Sequence, residues 1–256
     1  MRRASIGIGS VLGIELSLHV TWFLVLALVA WATASGFGQV YPELAPTVRA
    51  AMGLVTGSVF FLCLIVHELA HAVTARRFGI RVRGITLFVF GGVAEIEGEV
   101  PTPAREFAVA LIGPAVSLGL GAAFALATTW AGEVPALEGV LGTLALVNLG
   151  VALFNLIPGL PLDGGRLLRA ALWRLSGSRA RATRVAAGAG VVVAVALTAF
   201  GVLLATWGGE PAGLWYVPMG AFLLLLARSS RRGRPPEHAA GLALEEREGQ
   251  AAQPRP

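Results

Sequence analysis

The chain has 256 residues, of which 55% are hydrophobic and only 14% are charged. Soluble domains average about 25% charged residues, and several apolar runs here approach the roughly 20 residues that a membrane-spanning helix needs. The composition therefore excludes an ordinary soluble domain and predicts an all-α polytopic membrane protein. The net charge of +5 does not indicate nucleic-acid binding, because the basic residues flank apolar runs and form no single stripe. With one cysteine, Cys63, no intrachain disulfide can form, and we interpret this residue as a small lipid-facing or packing residue and not a ligand.

Six apolar segments predict six transmembrane helices. The first is the run from Leu16 to Ala34, which no small-residue cleavage site ends, so it does not resemble a removable signal. His19 lies near the start of this run. We favour a side chain whose polar end lies among the lipid headgroups over a catalytic role for His19. We expect an integral-membrane core over 1–228 and a disordered cytoplasmic tail over 229–256. The other five helices are predicted at about 48–78, 104–130, 139–156, 185–207 and 214–227.

Strand-forming residues interrupt the helical pattern between the second and third helices. Ile85 to Phe90 is rich in such residues, Gly91 and Gly92 suggest a turn, and polarity alternates from Glu95 to Val100. We interpret this as a small membrane-associated β-hairpin, whose strand edge could hold an extended peptide. Three glutamates, Glu95, Glu97 and Glu99, share one face of the second strand. We favour the interpretation that this face is exposed to solvent over a catalytic role for the carboxylates.

The second predicted helix carries the sequence H-E-L-A-H at residues 67–71. On a helix, His67 and His71 at positions i and i+4 point from one face, which suits two nitrogen ligands of one zinc ion. Glu68, next to the first histidine, is placed to act as a general base. The alternative is a surface helix that carries two histidines by chance. The sequence does not favour it, because residues 53–66 contain no charged residue. A carboxylate beside such an apolar segment is costly unless it has a function or a partner.

An acid lies in a broken segment after the fourth predicted helix. Residues 155–166 read N-L-I-P-G-L-P-L-D-G-G-R, and irregular backbone at membrane depth is tolerated where it is buried in protein or lines a cavity. A zinc ion held by two histidines needs a third protein ligand and an open position. We therefore favour Asp163 as that ligand over a helix N-cap. For Asn155 the alternative to a functional role is an interhelical hydrogen bond.

The basic residues, all arginines, predict the topology. They cluster before the first helix, between the second and third, between the fourth and fifth, and after the sixth, whereas the other loops hold only Arg49. The positive-inside rule then places both termini in the cytoplasm. On this prediction, the histidine motif and Asp163 both lie toward the cytoplasmic side.

These motifs resemble the site-2 protease family of intramembrane zinc metalloproteases. The resemblance rests on H-E-L-A-H, on Phe90-Gly91-Gly92 and on N-x-x-P-G-x-P-L-D-G-G from Asn155, and it covers about Leu12 to Ala227, as a short form without PDZ or CBS domains. It implies one zinc ion, a single-span membrane protein as substrate within the lipid bilayer, and a place for Asn155 near the substrate backbone or oxyanion. It also implies His67, His71 and Asp163 as zinc ligands and Glu68 as catalytic base.

Two other classes of protein remain as alternatives. A membrane metal transporter could place histidine and aspartate in broken helices, but it would not specifically need a glutamate beside the first histidine. A non-catalytic membrane scaffold would have no reason to keep the ligands and Glu68 together.

Overall fold

A computed structural model describes residues 5–88, 91–97, 100–132, 134–208 and 213–231. Within these ranges the chain is mostly helical, with seven helices and one small sheet, as the composition predicts. The helices are α1 (Thr21–Val40), α2 (Pro46–Arg77), α3 (Pro103–Thr128), α4 (Pro135–Asn155), α5 (Asp163–Ser176), α6 (Arg179–Thr206) and α7 (Gly213–Arg231). The strands are β1 (Ser5–Val11), β2 (Ile14–His19), β3 (Arg81–Phe88) and β4 (Gly91–Glu97).

Five of the described helices, α1, α2, α3, α4 and α6, are long and apolar enough to cross a membrane. Helix α7 occupies the predicted sixth segment but is not among these five, so a sixth span stays a prediction. Helix α7 also extends to Arg231, so it includes the first three residues of the predicted tail, 229–231. The rest of the predicted tail, 232–256, lies outside the described residues.

The first helix begins later than the apolar run predicts. Residues 14–19 form β2 instead, with Ile14, Leu16 and Leu18 buried and the residues between them more exposed. This period of two is the mark of a half-buried strand. Helix α1 then continues to Val40, six residues beyond the predicted end at Ala34. The His19 ring accepts a hydrogen bond from the Thr21 N–H at 3.4 Å, so it contacts the first turn of α1.

The four strands form one sheet in the order β1-β2-β3-β4. Strands β2 and β3 are parallel, and the other two pairs are antiparallel. The hairpin is therefore present, but the predicted turn at Gly91 and Gly92 is wrong, because these residues pair with Phe88 and Leu87 inside the ladder. The connection at 89–90 lies outside the described residues, as do the side chains behind the prediction for Glu95, Glu97 and Glu99.

The chain divides into two compact units. The first unit comprises Arg2–Val100 and Leu111–Phe154, and so holds the sheet, α1, α2, most of α3 and nearly all of α4. Within it, α1 and α2 approach closely, since a Cβ added to Gly53 would lie 2.3 Å from the Ala30 carbonyl oxygen. Small residues that allow such contact are typical of helix pairs in lipid.

The second unit comprises Pro101–Ala110 and the chain from Asn155 onward. It holds the first turns of α3, an irregular segment at 156–162, and α5, α6 and α7. The arginine-rich stretch at 166–184 is divided between α5 and α6. Gly177, at φ 65°, ends α5, and Ser178 caps α6 by accepting a hydrogen bond from the Arg181 N–H.

Candidate metal centre

The two histidines of α2 are buried and meet at their ring nitrogens. His67 is 3% exposed and His71 is 7% exposed, and their Nε2 atoms lie 3.2 Å apart. Zinc–nitrogen bonds of about 2.0–2.1 Å at a tetrahedral angle would separate two ligand nitrogens by about 3.3 Å. The rings therefore already have the spacing that one tetrahedral zinc ion requires.

A hydroxyl group on α3 fixes the orientation of the first histidine. Ser117 Oγ lies 2.9 Å from His67 Nδ1, and Ser117 is fully buried. A hydrogen bond at one ring nitrogen sets the tautomer and leaves the other nitrogen available for a metal. Ser117 was not among the predicted site residues, because a serine within an apolar helix gives no signal of its partner 50 positions earlier in the chain.

A glycine on α3 leaves space for the histidine rings. A Cβ added to Gly113 would lie 2.2 Å from His71 Nε2 and 2.6 Å from His67 Nε2. No side chain fits at such distances unless the rings move. Nothing in the apolar sequence around Gly113 signals this contact, whereas in the structure Gly113 lies against the Nε2 atoms of both histidines.

We expect Gly113→Ala to lower zinc content severalfold, because the added methyl group competes with the Nε2 atoms for the same space. Metal analysis of the purified variant measures this. Gly119→Ala is the matched control on the same helix, since nothing lies within 4 Å of a Cβ at that position. Equal zinc content in the two variants would show that the rings adjust without cost.

The Glu68 side chain is half-buried and lies against strand β4. A Cβ added to Gly92 would lie 2.6 Å from Glu68 Cγ and 2.7 Å from its Cδ. Glycine at 92 thus permits close approach of the strand to the carboxylate, which is a different requirement from the turn that the sequence suggested. Glu68 and its neighbouring strand both belong to the first unit.

Asp163 belongs to the second unit and is buried at 8% exposure. It is the first residue of α5, and Leu162 occupies the N-cap position, so the alternative of an N-cap is wrong. Arg166 Nη1 lies 3.7 Å from Asp163 Oδ1, one turn along the same helix.

The glycines after Asp163 explain why this helix begins where it does. A Cβ added to Gly164 would lie 2.2 Å from the Leu156 carbonyl oxygen, and one added to Gly165 would lie 2.2 Å from the Leu160 nitrogen. The irregular segment is itself held to α6, because the Leu160 N–H donates to the Ala186 carbonyl at 3.0 Å. The Gly-Gly pair thus lets α5 start directly against buried backbone.

Three of the predicted residues, His67, His71 and Asp163, are buried side chains of the types that can bind a metal ion. Cys63 is buried in α2 and is not part of this group. Asn155 is the last residue of α4 and is partly buried, and its role near a substrate stays a prediction.

Residues 56–133 and 130–199 match the model of peptidase family M50. This match covers more than half of the chain. The chain belongs to the M50 family of peptidases. The resemblance to site-2 proteases predicted from the three motifs is therefore confirmed.

Relatives of this M50 chain include Rip3 of Mycobacterium tuberculosis, 44% identical over 88% of the chain and 58% of Rip3. The zinc metalloprotease MJ0392 of Methanocaldococcus jannaschii is 30% identical over 78% of the chain and 54% of that relative. The chain thus spans less than two thirds of the length of these curated relatives. A solved structure, the site-2 protease from Methanocaldococcus jannaschii, aligns with a TM-score of 0.59 at 27% identity, over 89% of this chain and 95% of that one.

Proposed function

We propose that the chain is a zinc-dependent intramembrane endopeptidase. It hydrolyses a peptide bond within or near the transmembrane segment of a membrane-anchored protein. One observation carries the proposal: a buried histidine pair at zinc-ligand spacing, oriented by Ser117, on a helix apolar enough to span a membrane. Membership in a peptidase family and the name of MJ0392, a zinc metalloprotease, support it.

The zinc ligands in this proposal are His67, His71 and Asp163. They give two neutral nitrogen donors and one carboxylate, which is the three-ligand pattern of catalytic zinc sites. When bound, zinc would polarise the scissile carbonyl group and lower the pKa of a water molecule. Asp163 is suited to the task because its burial and its place at the start of α5 restrict its motion.

Glu68 moves the proton in this mechanism. Its carboxylate takes a proton from the attacking water and delivers it to the leaving amine nitrogen, so one group serves as base and then as acid. Partial exposure suits this role, because the carboxylate must meet both water and substrate. Asn155 is proposed to hydrogen-bond the substrate backbone or the developing oxyanion.

The substrate must be extended before it can be cleaved. A transmembrane helix hides its scissile carbonyl in its own hydrogen bonds, so it has to unwind locally. Strand β4 is an edge of the sheet, and its Gly92 lies against Glu68. An unwound substrate segment added to this edge as a further strand would have its backbone held near the proposed base.

The topology is proposed as six spans with both termini in the cytoplasm, and α7 as the sixth. A reporter fused after Gly132 is expected to indicate the outside, and one fused after Arg179 the inside, because arginines are retained on the cytoplasmic side. Alkaline phosphatase and fluorescent-protein fusions measure this pair. The reversed pattern would contradict the predicted placement of the histidine motif and Asp163 toward the cytoplasmic side.

Cleavage of a single-span membrane protein by the purified chain in detergent tests the function. Activity should disappear with a zinc chelator and return when zinc is added back. A metal transporter would instead move zinc into sealed liposomes without cutting any protein, and a scaffold would do neither. Either of those results would contradict the proposal.

A further inference from the structure

A buried ion pair joins the first turn of α3 to the middle of α5, within the second unit. Glu106 is fully buried, and the Arg169 side chain is 18% exposed. Arg169 Nε donates to Glu106 Oε1 at 2.6 Å, and Arg169 Nη2 donates to the same oxygen. The other oxygen, Glu106 Oε2, is buried without a hydrogen-bond partner among the described residues.

Such a pair is poorly explained by stability alone. Removing two charges from water is costly, and apolar residues of similar volume often stabilise a protein as well or better. Burial lowers the pKa of Arg169, and the charge of Glu106 opposes that shift. The guanidinium group of Arg169 does constrain orientation, because its two donors lie on one rigid plane and must both face the same carboxylate oxygen of Glu106.

Because Arg169 lies on α5, this constraint acts on the orientation of that helix. At its start the helix rests on Gly164 and Gly165, which contact the backbone at 156–160 but have no side chains to interlock with it. These contacts allow a close approach of the first turn of α5 to buried backbone. Arg169 lies six residues after Asp163, about 9 Å along the axis, and its fork adds a directional constraint on the rotation of α5 about its axis.

We propose that Glu106 and Arg169 are positioning residues, which hold the rotation of α5 so that the Asp163 carboxylate is presented to zinc. Neither residue touches the metal or the substrate in this account. The inference rests on the proposed function, since it assumes that Asp163 is a ligand. It goes further because it makes the affinity for zinc depend on two residues, Glu106 and Arg169, that lie outside the three motifs.

The test compares zinc affinity with thermal stability. In Glu106→Gln with Arg169→Gln both charges are removed, so neither is left buried without a partner. We expect zinc affinity, measured by competition with a chelator well below the unfolding temperature, to fall about 10-fold, the low end for losing a supporting residue around a metal site. Arg169→Lys keeps the charge and loses the fork, and it should also weaken zinc binding.

Arg174→Gln is the matched control, because Arg174 is an exposed arginine on the same helix. Its zinc affinity should equal that of the wild type. A purely structural role would lower the unfolding temperature of the Glu106 and Arg169 variants without changing their zinc affinity. Wild-type affinity in both Arg169→Lys and the double variant would overturn the inference.

Asp163→Asn separates this inference from the proposed function. If Asp163→Asn loses zinc affinity and the double variant adds no further loss to it, the pair acts through Asp163. If Asp163→Asn loses affinity while the Glu106 and Arg169 variants bind normally, only the positioning role fails. Wild-type affinity in Asp163→Asn would overturn both the ligand set and the inference.

Discussion

Glu68→Gln is expected to retain zinc and to lose at least about 100-fold in the rate of cleavage, the low end for loss of general acid–base catalysis. The amide has the size and polarity of the carboxylate but cannot accept a proton. Because Glu68 is not a proposed ligand, zinc content and thermal stability should stay near those of the wild type. Single-turnover cleavage of a transmembrane substrate and metal analysis of the same preparation measure the two effects.

His67→Ala is the contrasting variant for this prediction. It removes a proposed ligand and the hydrogen bond to Ser117, so metal and activity should be lost together. If the chain were a transporter or a scaffold, there would be no reason for Glu68→Gln and His67→Ala to differ in this way in zinc content and activity. Wild-type cleavage by Glu68→Gln would contradict the proposed mechanism, whatever the zinc content.

Asp163→Ala is expected to lose most of its zinc, from about one ion per chain to below about one in ten, together with its activity. Two histidines alone provide one ligand fewer than the three of a catalytic zinc site. Mass spectrometry of metal after size-exclusion chromatography measures the content directly.

Glu138→Ala is the matched control for Asp163→Ala, because Glu138 is an exposed carboxylate in the first turn of α4. It should keep both zinc and activity. If Asp163→Ala retained full zinc and full cleavage, Asp163 would not belong to the metal centre.

The sequence predicted the histidine pair well because its signal is local. Positions i and i+4 on one helix face follow from helical geometry alone, and the structure places the two Nε2 atoms 3.2 Å apart. The role of Ser117 depends on the packing of α3 against α2, which no periodicity in a single chain reveals. The close approaches at Gly113 and Gly92 were missed for the same reason, since a glycine in the sequence does not reveal whether it forms a turn or leaves space for a neighbouring side chain.

The strand at 14–19 shows a second limit of sequence analysis. Its alternating pattern is only six residues long and runs directly into the apolar helix that follows. A hydropathy window long enough to find a membrane span averages over both. The helices themselves were predictable because length and apolar character are what the bilayer demands of them.

X-ray absorption spectroscopy of the zinc-loaded protein tests the metal centre most directly. We expect two imidazole nitrogens at about 2.0–2.1 Å and oxygen donors at about 2.0–2.2 Å, in a four-coordinate site. In any zinc that Asp163→Ala still retains, the imidazole contribution to the spectrum should persist, and the oxygen contribution should differ from that of the wild type. A sulfur donor at about 2.3 Å, or a spectrum without imidazole, would contradict a zinc ion held by His67, His71 and Asp163.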